Sequence, residues 1–325
     1  MIKEITLWIL SQFDSFYQKK WINFLKKKKI NKFNLFIDIG AHKGESIELF
    51  SKNFFIKKII SFESSSVNFN FLKNEIEKNK KKYVNTEIIL ENIALGAENK
   101  LIDFYQFDES SSSTFKLVDT QSNYYKRKFR LLNFFGNKKI YQKYKLKIHR
   151  LKDYIEKNEI KKIDFIKIDT EGYEFEILLG LENKIKLVDV IMFEHHYDNM
   201  IKKGYMFYDI NRLLIKKGFK KIYKSKMPFR KTFEYIYQKN KIKKIDFIKI
   251  DTEGYEFEIL LGLENKIKLA DVIMFEHHYD NMIKKGYMFY DINRLLIKKG
   301  FKKIYKSKMP FRKTFEYIYQ KNKSQ

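Results

Sequence analysis

The chain has 325 residues, of which 44% are hydrophobic, a formal net charge of +27 at pH 7, and no cysteine. This composition can bury the core of one large or two modest globular domains, and the lack of cysteine excludes disulfides and thiolate metal sites, as in a cytoplasmic protein. The apolar runs are shorter than the roughly 18 to 20 residues that span a bilayer, and residues 1–10 lack the features of a signal peptide, so we expect neither.

The positive charge is spread along the chain rather than collected in arginine clusters. Only seven of the 67 Lys and Arg residues are arginine, and the chain is also rich in Asn, Ile, Phe and Tyr, all of which have AT-rich codons. A nucleic-acid site favours clustered arginines with aromatic stacking platforms, whereas compositional bias scatters lysines over solvated faces. We therefore do not expect a nucleic-acid partner.

Residues 1–30 form the first predicted element, an amphipathic helix. Lysines follow its apolar stripe, which consists of Ile5, Trp8, Ile9, Phe13, Phe16, Tyr17 and Phe24. Such a stripe fits a helix that packs on the rest of the domain. A basic amphipathic helix also fits a peripheral contact with an anionic membrane, and the sequence leaves both interpretations open.

Strand and helix patterns alternate after this helix. Apolar runs predict strands at residues 34–39, 58–62, 86–95 and 101–107, helices at 43–52 and 67–80, and a polar loop at 108–121. Further strands are predicted at 163–168, 188–194, 219–223 and 232–237, and further helices at 173–185 and 207–217. This alternation predicts an α/β fold with a mostly parallel, doubly wound sheet and an antiparallel C-terminal strand.

The second half of this pattern occurs twice. Residues 158–241 recur as residues 240–323 at an offset of 82, with differences only at Glu159, which becomes Lys241, and at Val188, which becomes Ala270. We call residues 159–240 the first copy and residues 241–322 the second copy. The sequence therefore predicts three parts: the helix at 1–30, a complete domain at 31–240, and a duplicated half-domain at 241–325 that repeats about 159–241.

Two glycines and an acidic residue follow the first two predicted strands. In sheets of this type, ligands bind beyond the carboxyl ends of the strands. Gly40 and Gly44, which follow Asp38, let the backbone approach a ligand closely, and the next helix offers its N-terminal amides. Glu63 ends the second strand 23 residues after Gly40. A carboxylate there either accepts two hydrogen bonds from a ribose diol or caps the next helix.

Six motifs stand out in the first 240 residues: 38–44 (DIGAHKG), 62–63 (FE), 92–95 (NIAL), 110–113 (SSSS), 151–154 (LKDY) and 167–174 (KIDTEGYE). Together they resemble the FkbM family of S-adenosylmethionine-dependent methyltransferases over about residues 30–240, and the last motif is the most specific. The resemblance implies a Rossmann-like class I methyltransferase fold with S-adenosyl-L-methionine as cofactor. It also implies O-methyl transfer to a hydroxyl of a small molecule, either a sugar of a surface glycan or a secondary metabolite.

The resemblance further implies which residues hold the cofactor. The two glycines would pass close to its amino-acid part, Asp38 would hold its ammonium, and Glu63 would hold its ribose. The segment around Asn92 would border the adenine. Asp169 is a second candidate for the ammonium, and His42 fits a turn position as well as a ligand position. The candidate cofactor ligands are Asp38, Gly40, His42, Gly44, Glu63, Ser64, Asn92 and Asp169.

Methyl transfer also needs a group that orients the acceptor oxygen and removes its proton. Candidates lie at the carboxyl ends of two neighbouring strands: Asp169, Glu171, Glu194, His195 and His196. Strand alternation directs the two histidines to opposite faces, and we take His195 as the base. Asp169 and Glu171 also fit caps of the next helix. Asp169, Glu194 and His195 are of metal-ligand types, but their spacing matches no metal motif, so we predict no metal.

The second copy repeats the strand-end residues but has neither the glycine loop nor the ribose acid, so alone it cannot form the cofactor pocket. We expect the first copy to complete the domain, because skipping it would close a long loop at a cost of about 1 to 2 kcal/mol. Ala270 would lose about 1 kcal/mol more if buried. Surplus apolar strands favour a domain-swapped homo-oligomer. The alternative functions are RNA methylation, which only the charge supports, and a non-catalytic relic of the duplication.

Overall fold

The computed structural model describes residues 17–107, 113–121, 126, 141–197, 201–227, 231–240, 244–252, 254–279, 286–310 and 312–322. The chain separates into two units, Met1–Asn240 and Lys241–Gln325. The boundary coincides with the start of the second copy of the repeated sequence.

The described part of unit 1 alternates strands and helices. Its strands are β1 (Lys32–Ile39), β2 (Phe55–Phe62), β3 (Glu87–Glu91), β4 (Ala94–Gly96), β5 (Lys100–Phe107), β6 (Leu117–Val118), β7 (Tyr141–Arg150), β8 (Ile163–Ile168), β9 (Val188–His196), β10 (Ile201–Lys202), β11 (Phe219–Lys226) and β12 (Thr232–Lys239). Its helices are α1 (17–27), α2 (Glu45–Asn53), α3 (Ser66–Lys78), α4 (Leu151–Lys157), α5 (Glu174–Gly180) and α6 (Phe207–Lys216). Short 3₁₀ turns cover Lys80–Tyr83 and Glu182–Leu187.

Seven of these strands form the central sheet, in the order β11-β12-β9-β8-β1-β2-β3. The five strands from β9 to β3 run parallel, and β12 is antiparallel to both of its neighbours. The predicted fold class is therefore confirmed: a mostly parallel sheet with an antiparallel C-terminal strand. Both central strands β8 and β9 come from the first copy, and Val188, which begins β9, is fully buried.

Two predicted elements were wrong in their bounds. The strand expected at 86–95 leaves the central sheet after Glu91, where the Asn92 side chain donates to the Glu63 carbonyl over 2.7 Å, and β4 then joins a second sheet of order β4-β7-β5. The strand β7 in that sheet was not predicted. The helix expected at 173–185 ends at Gly180, and the 3₁₀ turn Glu182–Leu187 follows it. A Cβ at Gly180 would lie 2.0 Å from the carbonyl oxygen of Gly96 in β4, so only glycine allows the two backbones to approach this closely.

Helices cover both faces of the central sheet. On one face α1, α2 and α3 enclose an aromatic core, in which the rings of Phe36 and Phe50 stack at 4.3 Å and Phe50 lies 5.3 Å from Phe165. On the other face α4, α5 and α6 contribute apolar residues such as Ile155 and Ile177. This three-layer arrangement buries most of the parallel strands β1, β2, β8 and β9, as their apolar runs require, whereas the edge strand β3 is only half-buried.

The helix α1 is the described part of the predicted N-terminal helix. Trp21 is buried beneath Phe50, and the ring of Phe24 lies 4.9 Å from that of Tyr223, so this part packs on the sheet. The stripe residues Ile5, Trp8, Ile9, Phe13 and Phe16 lie outside the described residues. Among the helices that the structure describes, none has the length and apolar character needed to cross a membrane.

Unit 2 repeats the second half of unit 1. Its elements are β13 (Ile245–Ile250), α7 (Glu256–Gly262), β14 (Ala270–His278), α8 (Phe289–Lys298), β15 (Phe301–Lys308) and β16 (Thr314–Lys321). The sheet order β13-β14-β16-β15 matches the order β8-β9-β12-β11 of unit 1. Ile273, Phe275 and Leu296 lie at the centre of its own small core.

Candidate active site

The glycine loop joins the carboxyl ends of three parallel strands. The Gly40 amide donates to the Phe62 carbonyl at the end of β2 over 2.9 Å, and its φ is +85°. A Cβ at Gly40 would lie 1.9 Å from the Asp169 carbonyl oxygen after β8, so only glycine fits between these strand ends. His42 follows with a φ of +50°, and Gly44 begins α2 with a φ of +100°. The loop therefore has three left-handed positions in five residues.

Asp38 lies at the end of β1 with a fully buried side chain. Neither of its carboxylate oxygens has a hydrogen-bond partner in the described part of the chain. Burial raises the pKa of Asp38 to about 7, although the Lys167 ammonium acts in the opposite direction. Because buried polar groups are normally hydrogen-bonded, this carboxylate fits a ligand that brings its own donors, such as an ammonium.

Two backbone amides hold the carboxylate of Glu63 after β2. Its Oε2 accepts from the His42 amide and its Oε1 from the Ser65 amide, both over 2.8 Å. Burial raises the pKa of Glu63 in spite of these bonds. Ser65, not Glu63, caps α3, because its hydroxyl accepts from the Asn68 amide. With Asn92 bonded to the Glu63 carbonyl, the structure brings these predicted cofactor ligands together.

A small, partly open cleft lies beside these residues. It is lined by Ile39, Gly40, Phe62, Ser64, Ile93, Leu95, Phe115, Thr170, Tyr173 and Ile177. Gly40 and Ser64 were predicted, whereas the apolar residues were missed because they follow the same pattern as ordinary core residues. Apolar walls with a few polar groups at the edge are typical of small-molecule sites.

The strand β8 ends in a buried ion pair that was not singled out from the sequence. Lys167 Nζ lies 2.8 Å from Asp169 Oδ2, and Lys167 is the parallel-strand partner of Asp38. Desolvation opposes the charge of Lys167, but the carboxylates of Asp169 and Asp38 together raise its pKa. Burial likewise disfavours the Asp169 carboxylate, but Lys167 lowers the pKa of Asp169 on balance. Both groups are therefore charged. A lysine inside an otherwise apolar strand is the sequence feature that could have revealed this ion pair.

His196 lies among carboxylates at the end of β9. Its Nε2 is 3.3 Å from Glu171 Oε2 and 3.9 Å from Glu194 Oε2, and its Nδ1 is 2.9 Å from the Thr232 hydroxyl. Burial, followed by the nearby Asp169 carboxylate, raises the pKa of Glu194. Four of the five catalytic candidates, namely Asp169, Glu171, Glu194 and His196, therefore lie together in the structure.

The structure does not place His195 in this cluster, which corrects the choice of base. Its buried ring lies on the opposite face of the sheet, 4.8 Å from the Tyr197 ring and 6.0 Å from the Phe207 ring. Burial lowers the pKa of His195 to about 3, so this imidazole is a weak base. Alternation does send one histidine to each face, but it is His196 that faces the site.

The structure does not support a metal site built from the predicted ligand types. No group of three His, Asp or Glu side chains in the described ranges is placed to hold an ion. Asp169 and Glu194 are near each other, but His195 lies across the sheet from them. The cation beside Asp169 is instead the Lys167 ammonium.

Several solved structures are similar to the chain at low identity. An FkbM methyltransferase from Methylobacillus flagellatus KT is 14% identical with a TM-score of 0.42, over 63% of this chain and 43% of that one. Magnesium protoporphyrin IX methyltransferase from Synechocystis PCC 6803 with bound SAM is 11% identical with a TM-score of 0.40, over 73% and 83%. The chain thus spans less than half of the first structure, and no conclusion about activity rests on these likenesses.

Sequence comparison gives the family. No curated protein matches the chain. The model of the methyltransferase FkbM domain matches residues 38–221 and 229–303, which is more than half of the chain and includes part of the second copy. The match takes in the glycine loop, Glu63, the 167–174 motif and the cluster around His196. The chain therefore belongs to the FkbM family of methyltransferases, whose cofactor is S-adenosyl-L-methionine.

Proposed function

We propose that the protein transfers a methyl group from S-adenosyl-L-methionine to a hydroxyl of a sugar, as in a surface glycan, or of a secondary metabolite. The observation that carries this proposal is the pair formed by His196 and Glu171 at 3.3 Å, beside the cleft that Thr170 helps to line. An imidazole with a carboxylate partner is suited to accept a proton from a hydroxyl. A hydroxyl needs such help because it is a weak nucleophile until its proton leaves.

The residues present fit the cofactor. Bound S-adenosyl-L-methionine would supply an electrophilic methyl group. The buried Asp38 carboxylate, which has no hydrogen-bond partner among the described residues, fits its ammonium, and Glu63 and Ser64 fit its ribose hydroxyls. Asn92, which orders the loop after β3, would border the adenine. Gly40, His42 and Gly44 shape the loop that joins these groups.

His196 would act as the base. The Thr232 hydroxyl 2.9 Å from Nδ1 fixes the orientation of the ring, and Nε2 would accept the proton of the acceptor hydroxyl. The Glu171 carboxylate then stabilises the imidazolium, because an opposite charge at this distance favours the protonated ring. Two further carboxyl groups lie beside His196, those of Glu194 and of Asp169, which is paired with Lys167. They can orient other hydroxyls of the acceptor.

The acidic side chains around His196 favour a neutral acceptor over RNA. The carboxyl groups of Asp169, Glu171 and Glu194, together with nearby Glu234, lie around the position of the transferred proton. The carboxylates of Asp169 and Glu171 repel the phosphates of a nucleic acid at close range, and the four carboxyl groups can form hydrogen bonds with a polyol. A cytoplasmic location and a metal-independent reaction are parts of this proposal.

Calorimetric titration of S-adenosylhomocysteine into the full chain, with Glu63→Ala as control, tests the cofactor site. We expect one site per chain that is lost in the variant. Formation of S-adenosylhomocysteine is then followed with neutral sugars, uronic acids, small phenols and RNA as acceptors. Turnover with RNA and none with hydroxylated small molecules would overturn the proposal, whereas methylation of a neutral sugar would support it.

A further inference from the structure

One six-residue strand occurs in two environments in this protein. The sequence IDFIKI forms β8 in unit 1 and β13 in unit 2. In unit 1 the strand lies between β1 and β9, and Phe165 is fully buried, 5.3 Å from the Phe33 ring and 5.3 Å from the Phe50 ring. In unit 2 the strand is at the sheet edge, paired in the described structure with β14, and Phe247 is 51% exposed. The edge of β13 is therefore open where β8 has a partner.

Among the described residues, no helix covers the sheet face beside Phe247. We call it the open face; it consists of Phe247, Val272, Met274, Ile304, Tyr305 and Ile318. Its counterparts in unit 1 lie beneath α1 and α2, where Val190, Met192 and Ile236 are buried. In unit 2, Val272, Met274 and Ile318 are half-buried, whereas Ile304 and Tyr305 are about half exposed. An apolar surface of this kind is typical of an interaction site.

The charges at this edge do not oppose association. Lysines on an edge strand normally prevent strands from pairing with other chains. Here Lys249 lies 3.3 Å from Asp251, and Lys244 lies 2.7 Å from Asp271 and 2.9 Å from Asp246. Both edge lysines are thus neutralised by carboxylates of unit 2 itself.

In the described part of unit 1, one segment covers the corresponding edge and face. Residues 17–62, which supply α1, β1, α2 and β2, occur once in the sequence and are packed on unit 1. A second copy of the chain therefore brings the same open edge and the same open face, but no spare covering segment. A two-fold axis perpendicular to the sheet pairs this edge with itself, which gives a closed dimer and places the two open faces side by side.

We propose that unit 2 is a dimerisation module, in which β13 pairs antiparallel with β13 of a second copy. The two four-stranded sheets then form one continuous sheet of eight strands, and the two open faces become neighbours. With the axis at position 247, Phe247 lies opposite Phe247 of the second copy, as an aromatic cross-strand pair.

The mass of the full chain in solution, measured by light scattering during gel filtration, tests this interface. We expect twice the 39.7 kDa of one chain for the wild type, and a single-chain mass for Phe247→Asp, whose dissociation constant should rise at least about 30-fold. Tyr290→Asp is the matched control, since Tyr290 is 66% exposed on α8, and it should remain dimeric. Circular dichroism of both variants excludes unfolding as the cause.

The absence of cysteine allows a direct test of the register. Opposite residues of an antiparallel pair have Cβ atoms about 4.5 to 5.5 Å apart, close to the spacing of a disulfide. Mild oxidation of Phe247→Cys should therefore give a covalent dimer and no larger species, whereas Tyr290→Cys should stay uncoupled. A monomeric wild type, an open series of oligomers, or equal coupling of the two variants would each overturn the proposal.

Discussion

Replacing Asp38 with asparagine should make the protein more stable, and increasingly so as the pH rises. Below its ordinary pKa of 3.8, Asp38 is protonated in both the folded and the unfolded chain. Between that value and about 7 the unfolded chain releases the proton while the folded chain keeps it, so wild-type stability falls with rising pH. From pH 5 to pH 8 the loss amounts to about 3 kcal/mol. Asparagine does not titrate and avoids this loss.

Urea unfolding at both pH values measures this difference. Trp21 is buried in the core of unit 1, so its fluorescence in a Trp8→Phe background reports the unfolding of that unit. The stability advantage of Asp38→Asn should grow by about 3 kcal/mol between pH 5 and pH 8. An advantage that is the same at both pH values would refute the argument that Asp38 is an unsatisfied buried carboxylate. The variant should also bind S-adenosylhomocysteine at least about tenfold more weakly at pH 8, since it lacks the charge for the ammonium.

The repeat supplies matched controls for two further predictions. His196→Gln should lower the rate of methyl transfer by about 10²- to 10⁴-fold, as expected for loss of a general base. His278→Gln, which is the same change in the second copy, should leave the rate unchanged. Equal losses of rate for the two variants in initial-rate assays would argue against His196 as the base. Gly180→Ala should destabilise unit 1 by roughly 1 to 3 kcal/mol, because its Cβ would lie 2.0 Å from the Gly96 carbonyl oxygen. At the equivalent Gly262 an added Cβ would have no neighbour within 4 Å, so Gly262→Ala should stabilise the helix by about 0.5 to 1 kcal/mol. Thermal unfolding monitored by circular dichroism measures both effects, and equal shifts in melting temperature would contradict this contrast.

The sheet could be predicted because its strands are short apolar runs separated by helical periodicity. The mostly parallel sheet and the antiparallel C-terminal strand β12 were predicted from this pattern, whereas the order of the strands was not. The break between β3 and β4 could not be predicted, since it depends on the bond from Asn92 to the Glu63 carbonyl, which joins residues that are distant in sequence. The strand β7 could not be predicted for a similar reason, because a long segment of sequence separates it from its partner β5.

The site was predicted by residue type more accurately than by role. Gly40 was selected as the point where the backbone approaches a ligand, yet the backbone it approaches is that of Asp169. Alternation alone separates His195 from His196, but which one faces the site depends on where α6 packs, and that is a tertiary property. Lys167 was read as part of a motif rather than as a buried cation, because its role requires Asp38 on the adjacent strand.

The order in which the two copies are synthesised bears on which one completes the sheet. At about 5 to 20 residues per second, the ribosome finishes the first copy roughly 4 to 16 s before the second, which is 82 residues further along. Small domains commonly fold faster than this, so β8 and β9 are in place before their duplicates exist. When the chain refolds from denaturant, both copies are present from the beginning. They then compete for pairing with the N-terminal half, with only small energetic differences between them. Protein recovered by refolding should therefore contain a second population, which native expression avoids.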